Sequence, residues 1–165
     1  MKANQIRSAR RRRNSGSSLA EFGPALFVLL VFMFFPLVDM ISLGVSYGLC
    51  LVLNYNQVHE ASLLPFADAT NASGTVMKAI PDQWKSGMGK FVKMTGDPQT
   101  VVSYRAGETG TDNVTDRLVD VQTTVICNPW LQIPLPLLQI PGINAPMTFA
   151  VTGERPMENP DYAKP

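Results

Sequence analysis

Residues 23–53 are apolar but for one acid. Sixteen uncharged positions, GPALFVLLVFMFFPLV, lead to Asp39, and fourteen more, MISLGVSYGLCLVL, follow it. A bilayer-spanning helix takes about 20 predominantly apolar residues. Neither half reaches that length alone, so the expected span, over 22–53, includes Asp39 or carries it near one face. An acid at mid-membrane costs about 2.5–3.5 kcal/mol on insertion scales. Two placements relieve that cost: a hydrated Asp39 near the far interface, or contact with a partner helix inside an assembly.

Charge sets the orientation. The formal net charge of +1 conceals a division. Lys2, Arg7, Arg10, Arg11, Arg12 and Arg13 precede the apolar run with no acid among them, leaving eight basic against thirteen acidic residues beyond position 16. By the positive-inside rule the N-terminus stays cytoplasmic and the chain beyond about residue 45 is extracytoplasmic. The acidic remainder is no general polyanion binder, so no nucleic-acid partner is expected. A secretory signal with a small-x-small site at Gly44-Val45-Ser46 competes, but Asp39 interrupts its apolar core and the apolar pattern runs past the cut. Leu49 before Cys50 is not the small residue a lipoprotein site wants. Arg12-Arg13 lacks the bulky pair that follows a twin-arginine signal.

The junction reads RRRRNSGSSLAEF from Arg10 to Phe22. Glu21 is the acid nearest the start of the apolar run. Cleavage after Gly16 would make Ser17 a new ammonium four residues from Glu21, on the same helix face. Glu21 would also sit in the first turns, where the helix dipole favours negative charge. The ammonium of one subunit could equally pair with Glu21 of its neighbour. Without cleavage, Glu21 is a hydrated residue at the cytoplasmic interface and Gly16 belongs to a linker.

Gly16-Ser-Ser-Leu-Ala-Glu21-Phe22 behind a basic leader, Pro36-Leu-Val-Asp39 in the helix, and a C-terminal strand running into Val151-Thr-Gly-Glu-Arg155-Pro156 together resemble the TadE-like pseudopilins, minor pilins of the Tad (type IVc, Flp) pilus system. The resemblance implies residues 1–16 as a leader removed by a membrane aspartyl prepilin peptidase, with Gly16 before the cut and Ser17 after it. It implies assembly roles for Glu21, Phe22 and Asp39, with other pilins, assembly platform proteins and membrane lipid as partners. Pro24 departs from the commoner aliphatic residue there, and the chain is longer than a major Flp pilin, which points to a minor subunit. The competing expectation is an uncleaved bitopic anchor that presents a small binding or envelope-complex domain.

One helix is expected over 18–64, bent or loosened at Pro24 and Pro36. Gly44 and Gly48 form a small-xxx-small pair for close helix approach. Val52, Tyr55, Val58 and Ser62 recur at helical spacing and are expected to dock on the globular part. His59 is read as polar surface.

Beyond the helix, 65–165 reads as an extracytoplasmic unit. Thirteen Pro and twelve Gly oppose an all-helical bundle. A loop is expected over 65–75, a helix over 81–94, a turn over 94–98, and strands over 100–104, 117–127 and 147–152. In 117–127, Val119, Val121, Thr123 and Val125 share one face. This is an α+β fold class: a long N-terminal hydrophobic helix, then a small antiparallel sheet with a covering helix. The acidic stretch 107–116 reads as a solvated hairpin loop. The Pro-rich apolar stretch 127–146 cannot be helical. It either covers the core or docks on another pilin or on lipid headgroups through Trp130. An extended, poorly held tail follows Arg155. Cys50 and Cys127 are expected as two separate buried thiols. One His and two Cys exclude Cys/His zinc centres, so no metal or cofactor is expected. With neither G-x-S-x-G nor H-E-x-x-H, no enzyme is expected either.

Overall fold

The computed structural model describes residues 21–109, 115–132 and 138–163. A continuous helix, α1, runs from Glu21 to Leu63. A π-helical stretch, Leu30–Phe34, interrupts its α geometry, with the Phe35 N–H donating to the Leu30 carbonyl. Pro36 lies directly beyond and brings no N–H to the helix. One extra residue in the turn is how a helix accommodates such a loss without breaking, so the loosening expected near Pro36 takes this form. Pro65 ends α1 by forcing Leu64 into an extended conformation.

The segment expected as a loop after Pro65 contains a short helix, α2 (Phe66–Ala69). The covering helix begins earlier and ends sooner than 81–94. It opens as a π turn, Thr75–Ala79, becomes α3 (Ile80–Ser86), and closes as a 3-10 turn, Met88–Phe91. Gly87 breaks it with φ −102° and ψ −107°. Gly89 is required by packing: a Cβ there would lie 2.8 Å from Cε3 of the Trp84 ring. Gly96, at φ 77°, makes the turn into the sheet.

Three strands form an antiparallel sheet in the order β1 (Gln99–Thr109), β2 (Thr115–Cys127), β3 (Met147–Pro156). Val121 lies opposite Val102 on β1 and Gly153 on β3. Val119, Val121, Thr123, Val125 and Cys127 are buried on one face against α1, as the alternation predicts. The opposite face is polar: Arg105 pairs with Asp120 at 3.2 Å and with Glu154. Residues 110–114, the tip of the acidic hairpin loop, lie outside the described residues.

Two clusters make the core. Val58, Ala61, Ala69, Val76, Val119, Val121 and Met157 form one, and Cys50, Leu53, Trp84, Val92, Val125, Cys127 and Val151 form the other. Cys50 and Cys127 are free and buried, as expected, and both belong to the second cluster. The tail is also better held than its composition suggests. β3 continues to Pro156, the Met157 N–H donates to the Arg117 carbonyl, and Glu158 N–H donates to the Ser62 carbonyl.

A buried polar clasp crosses from helix to sheet. The Asn54 Nδ2 donates to the Val121 carbonyl at 2.8 Å, Thr123 Oγ1 at 3.0 Å and the Val151 carbonyl at 3.2 Å. The Thr123 hydroxyl donates to Gln57 Oε1 at 2.7 Å. Gln57 Nε2 donates to the Val76 carbonyl and to Thr100 Oγ1. Gly153 permits the approach, since a Cβ there would meet Asn54 Oδ1 at 2.5 Å and Val58 Cγ2 at 2.7 Å. Asn54→Ala is expected to cost roughly 2 kcal/mol through lost and orphaned hydrogen bonds, and Gly153→Ala about 1–3 kcal/mol through overpacking. Because the added Cβ collides with the Asn54 side chain itself, the double variant should cost less than the two singles combined. Denaturant midpoints of the full chain in micelles test this.

Candidate membrane and assembly interface

The two faces of α1 have inverted polarity. From Asp39 onward the buried stripe is Asp39, Ser42, Ser46, Cys50, Leu53, Asn54, Gln57, Val58, Ala61 and Ser62. These recur at steps of three and four and lie under the protein's own soluble part. The opposite face is exposed and apolar: Met40, Ile41, Val45, Tyr47, Leu51, Val52 and Tyr55. Soluble-protein helices do the reverse. The expected docking face is therefore only half right. Val58 and Ser62 dock, but Val52 and Tyr55 point outward, because Asn54 and Gln57 take the inner positions through hydrogen bonds that a periodicity read on apolar residues passes over.

Among the described residues the helix upstream of Asp39 is mostly exposed, with Leu30, Val31, Phe35, Pro36 and Val38 half-buried. Phe22, Leu26, Phe27, Val28, Leu29, Phe32, Met33, Phe34 and Leu37 are all exposed large hydrophobics. The helix Glu21–Leu63 is long and apolar enough to cross a membrane. Its length from Glu21 to Val38 rises about 27 Å, close to the ~30 Å hydrocarbon thickness. The expected span over 22–53 runs well past that point, into the stretch where Leu49 and Cys50 join the core.

Asp39 closes that length, in a way neither sequence expectation described. It is wholly buried within its own chain rather than hydrated. Its Oδ1 accepts the Leu131 backbone N–H at 2.8 Å, while Oδ2 is buried without a hydrogen-bond partner. Ser42 Oγ donates to the Asp39 carbonyl, and Ser46 Oγ to that of Ser42. The Pro-rich stretch thus supplies Asp39's partner. Proline removes N–H groups around it and leaves the Leu131 N–H free to cap an acid 92 positions away. Cover is also provided by Gly142, at φ 85°, where a Cβ would lie 2.6 Å from Leu43 Cδ1. Residues 133–137 of this stretch lie outside the described residues.

The remaining sequence candidates fall out as follows. Gly16 and Ser17 lie outside the described residues. Glu21 and Phe22 are exposed at the start of α1. Gly44 is exposed and Gly48 half-exposed, and a Cβ at either would meet nothing within 4 Å, so their flat surface is open to a neighbour. Trp130 is 54% exposed, while Pro129 beside it is buried. His59 is exposed, with Nδ1 2.8 Å from Arg155 Nη1. Phe91, 66% exposed, and the exposed Lys90 and Lys93 beside it fall inside the helix expected over 81–94 and carry no site role in that expectation. Among the described residues no three His, Cys, Asp or Glu side chains group to hold a metal.

No protein-family model, curated protein or solved structure matches this chain.

The Asp39–Leu131 contact separates two substitutions. Asp39→Asn keeps an acceptor for the Leu131 N–H and is expected to leave the Trp130 segment in place. Asp39→Ala orphans that N–H, costs about 1–3 kcal/mol, and frees the segment. Acrylamide quenching of tryptophan emission, rising in the Ala variant alone, is the expected readout.

Proposed function

We propose that this chain is a non-enzymatic minor pilin-like subunit, similar to the TadE-like pseudopilins. It is inserted in a bacterial inner membrane with its N-terminus in the cytoplasm and cleaved after Gly16 by a prepilin peptidase. It then packs through α1 with other pilins and platform proteins into a Tad-type pilus used for adhesion or secretion.

The observation that carries this reading is the inverted polarity of α1. A bitopic anchor needs an apolar surface only as far as the bilayer extends, and Val38 already completes about 27 Å. Yet the outward face stays apolar for some four further turns, to Tyr55, beside a domain that turns its own polar residues inward. A helix that leaves the bilayer to pack among others has a use for that surface; the open backbone at Gly44 and Gly48 lies along the same stretch. Glu21 at the head of the apolar face supports cleavage, because a Ser17 ammonium would neutralise an acid otherwise drawn into an apolar assembly.

N-terminal sequencing of the protein from membranes of a host with a prepilin peptidase is expected to begin at Ser17. A functional protein that keeps Arg10 to Arg13 is instead an uncleaved anchor. Glu21→Ala should insert normally and lower incorporation into fibres roughly a hundredfold or more, since stripping one partner from a buried ion pair costs about 3–5 kcal/mol. Immunoblots of sheared fibres against the membrane fraction measure it.

A further inference from the structure

Beside the end of the mostly exposed length of α1, the soluble part exposes Phe91 (66%), Trp130 (54%) and Leu131 (37%). They line one shallow depression together with Lys90 and Lys93. Phe91 and Trp130 also wall an apolar groove of about 580 Å³ against Val38, Ile41, Val45 and Leu49 of α1. The patch is thus continuous with the apolar surface of the helix, at the level of Asp39. Both lysines are exposed, and neither is in an ion pair among the described residues. Lys93 Nζ reaches the Pro129 carbonyl at 3.4 Å, which holds its ammonium beside Trp130. In a chain whose residues beyond position 16 are net acidic, two uncompensated cations among exposed aromatics are a local inversion of charge.

Aromatic rings with nearby lysines are the composition of a membrane interface: the rings settle at headgroup depth and the ammonium groups reach the phosphates. The position agrees with the chemistry. If Glu21–Val38 occupies the hydrocarbon, Asp39 and its Leu131 partner fall at the outer boundary, and Trp130 and Phe91 fall beside them.

We propose that this face is a second membrane contact, in which Phe91, Trp130 and Leu131 enter the outer interface of the bilayer that holds α1 while Lys90 and Lys93 bind the phosphates of anionic phospholipids. The inference rests on α1 being membrane-inserted, not on pilus assembly. The Asp39–Leu131 hydrogen bond ties this wedge to the helix, so the soluble part is held at a fixed tilt over the membrane.

The test uses the full chain in vesicles of phosphatidylcholine alone or mixed with phosphatidylglycerol, with bromine on the acyl chains near the headgroup. Trp84 is buried, with its indole N–H on the Leu49 carbonyl, and Trp130→Phe isolates the Trp130 signal by difference. Trp130 emission should be quenched by the brominated lipid and shielded from aqueous acrylamide. In the anionic vesicles the double variant Lys90→Gln, Lys93→Gln should lower the docked-to-free ratio about twenty-fivefold, at roughly fivefold per lysine charge near an anionic surface. In the neutral vesicles it should change little. Trp130 open to acrylamide while α1 resists alkaline carbonate extraction overturns the contact and leaves the anchor standing. Extraction by carbonate overturns both. Trp130 shielded from acrylamide but untouched by bromine means that a second copy covers the patch, and overturns the lipid contact.

Discussion

The Asn54–Thr123–Gln57 clasp is the interaction on which the rest of the structure depends. A three-stranded sheet with one apolar face must bury that face against another element, and here the helix takes that place. The helix offers that sheet mostly small and polar residues, so apolar contact alone would leave its position along the sheet loosely specified. Three donors and acceptors that must all be matched in a buried setting specify one register. Asn54 bridges β2 and β3 by taking the Val121 and Val151 carbonyls together, and Gln57 reaches across to Thr100 on β1. The helix therefore fastens every strand of the sheet, and Gly153 is the concession in β3 that lets it come close enough.

The same choice explains the surface. Spending the polar residues of α1 inward leaves the apolar ones outward, and an apolar stripe continuous from Phe22 to Tyr55 has no stable place in water. Asp39 marks where its surroundings change. Before it the helix is mostly exposed among the described residues. After it one side is covered by the protein, and the acid itself is sealed by a backbone N–H of the Pro-rich stretch. The chain itself supplies a donor to one oxygen of this carboxyl group, while the other is buried without one.

Much of the fold was legible in the sequence because it rests on local rules. Alternation of Val119, Val121, Thr123 and Val125 predicts the buried face of β2, and the stretch beyond Leu53, with no Gly or Pro before Pro65, predicts a helix to about residue 64. The misreadings have one cause in common: they turn on contacts between residues far apart in the chain. Val52 and Tyr55 have the spacing of a docking face, but Asn54 and Gln57 outbid them through partners on strands some seventy to a hundred positions away. The tail after Arg155 is polar and Pro-rich, yet its backbone is caught by Arg117 and Ser62. The partner of Asp39 is a peptide N–H, which carries no side-chain signature. Phe91, Lys90 and Lys93 gain meaning only because Gly87 ends α3 early and turns them to the same side as Trp130.

The geometry also limits how this protein can move. Twenty-seven ångströms of mostly exposed helix, roughly, match a bilayer closely enough that a large tilt would drag either Glu21 or the covered stretch after Asp39 into hydrocarbon. The π-helical turn at Leu30–Phe34 lies along that length, and π turns, with i→i+5 hydrogen bonds, are among the places where helices kink. Any bending of the helix against a rigidly clasped soluble part will concentrate there, since the clasp and the Asp39 seal immobilise everything beyond. An apolar rod with one soft turn before a fixed head can change its surroundings, lipid or neighbouring helices, while the fold of the head stays as it is.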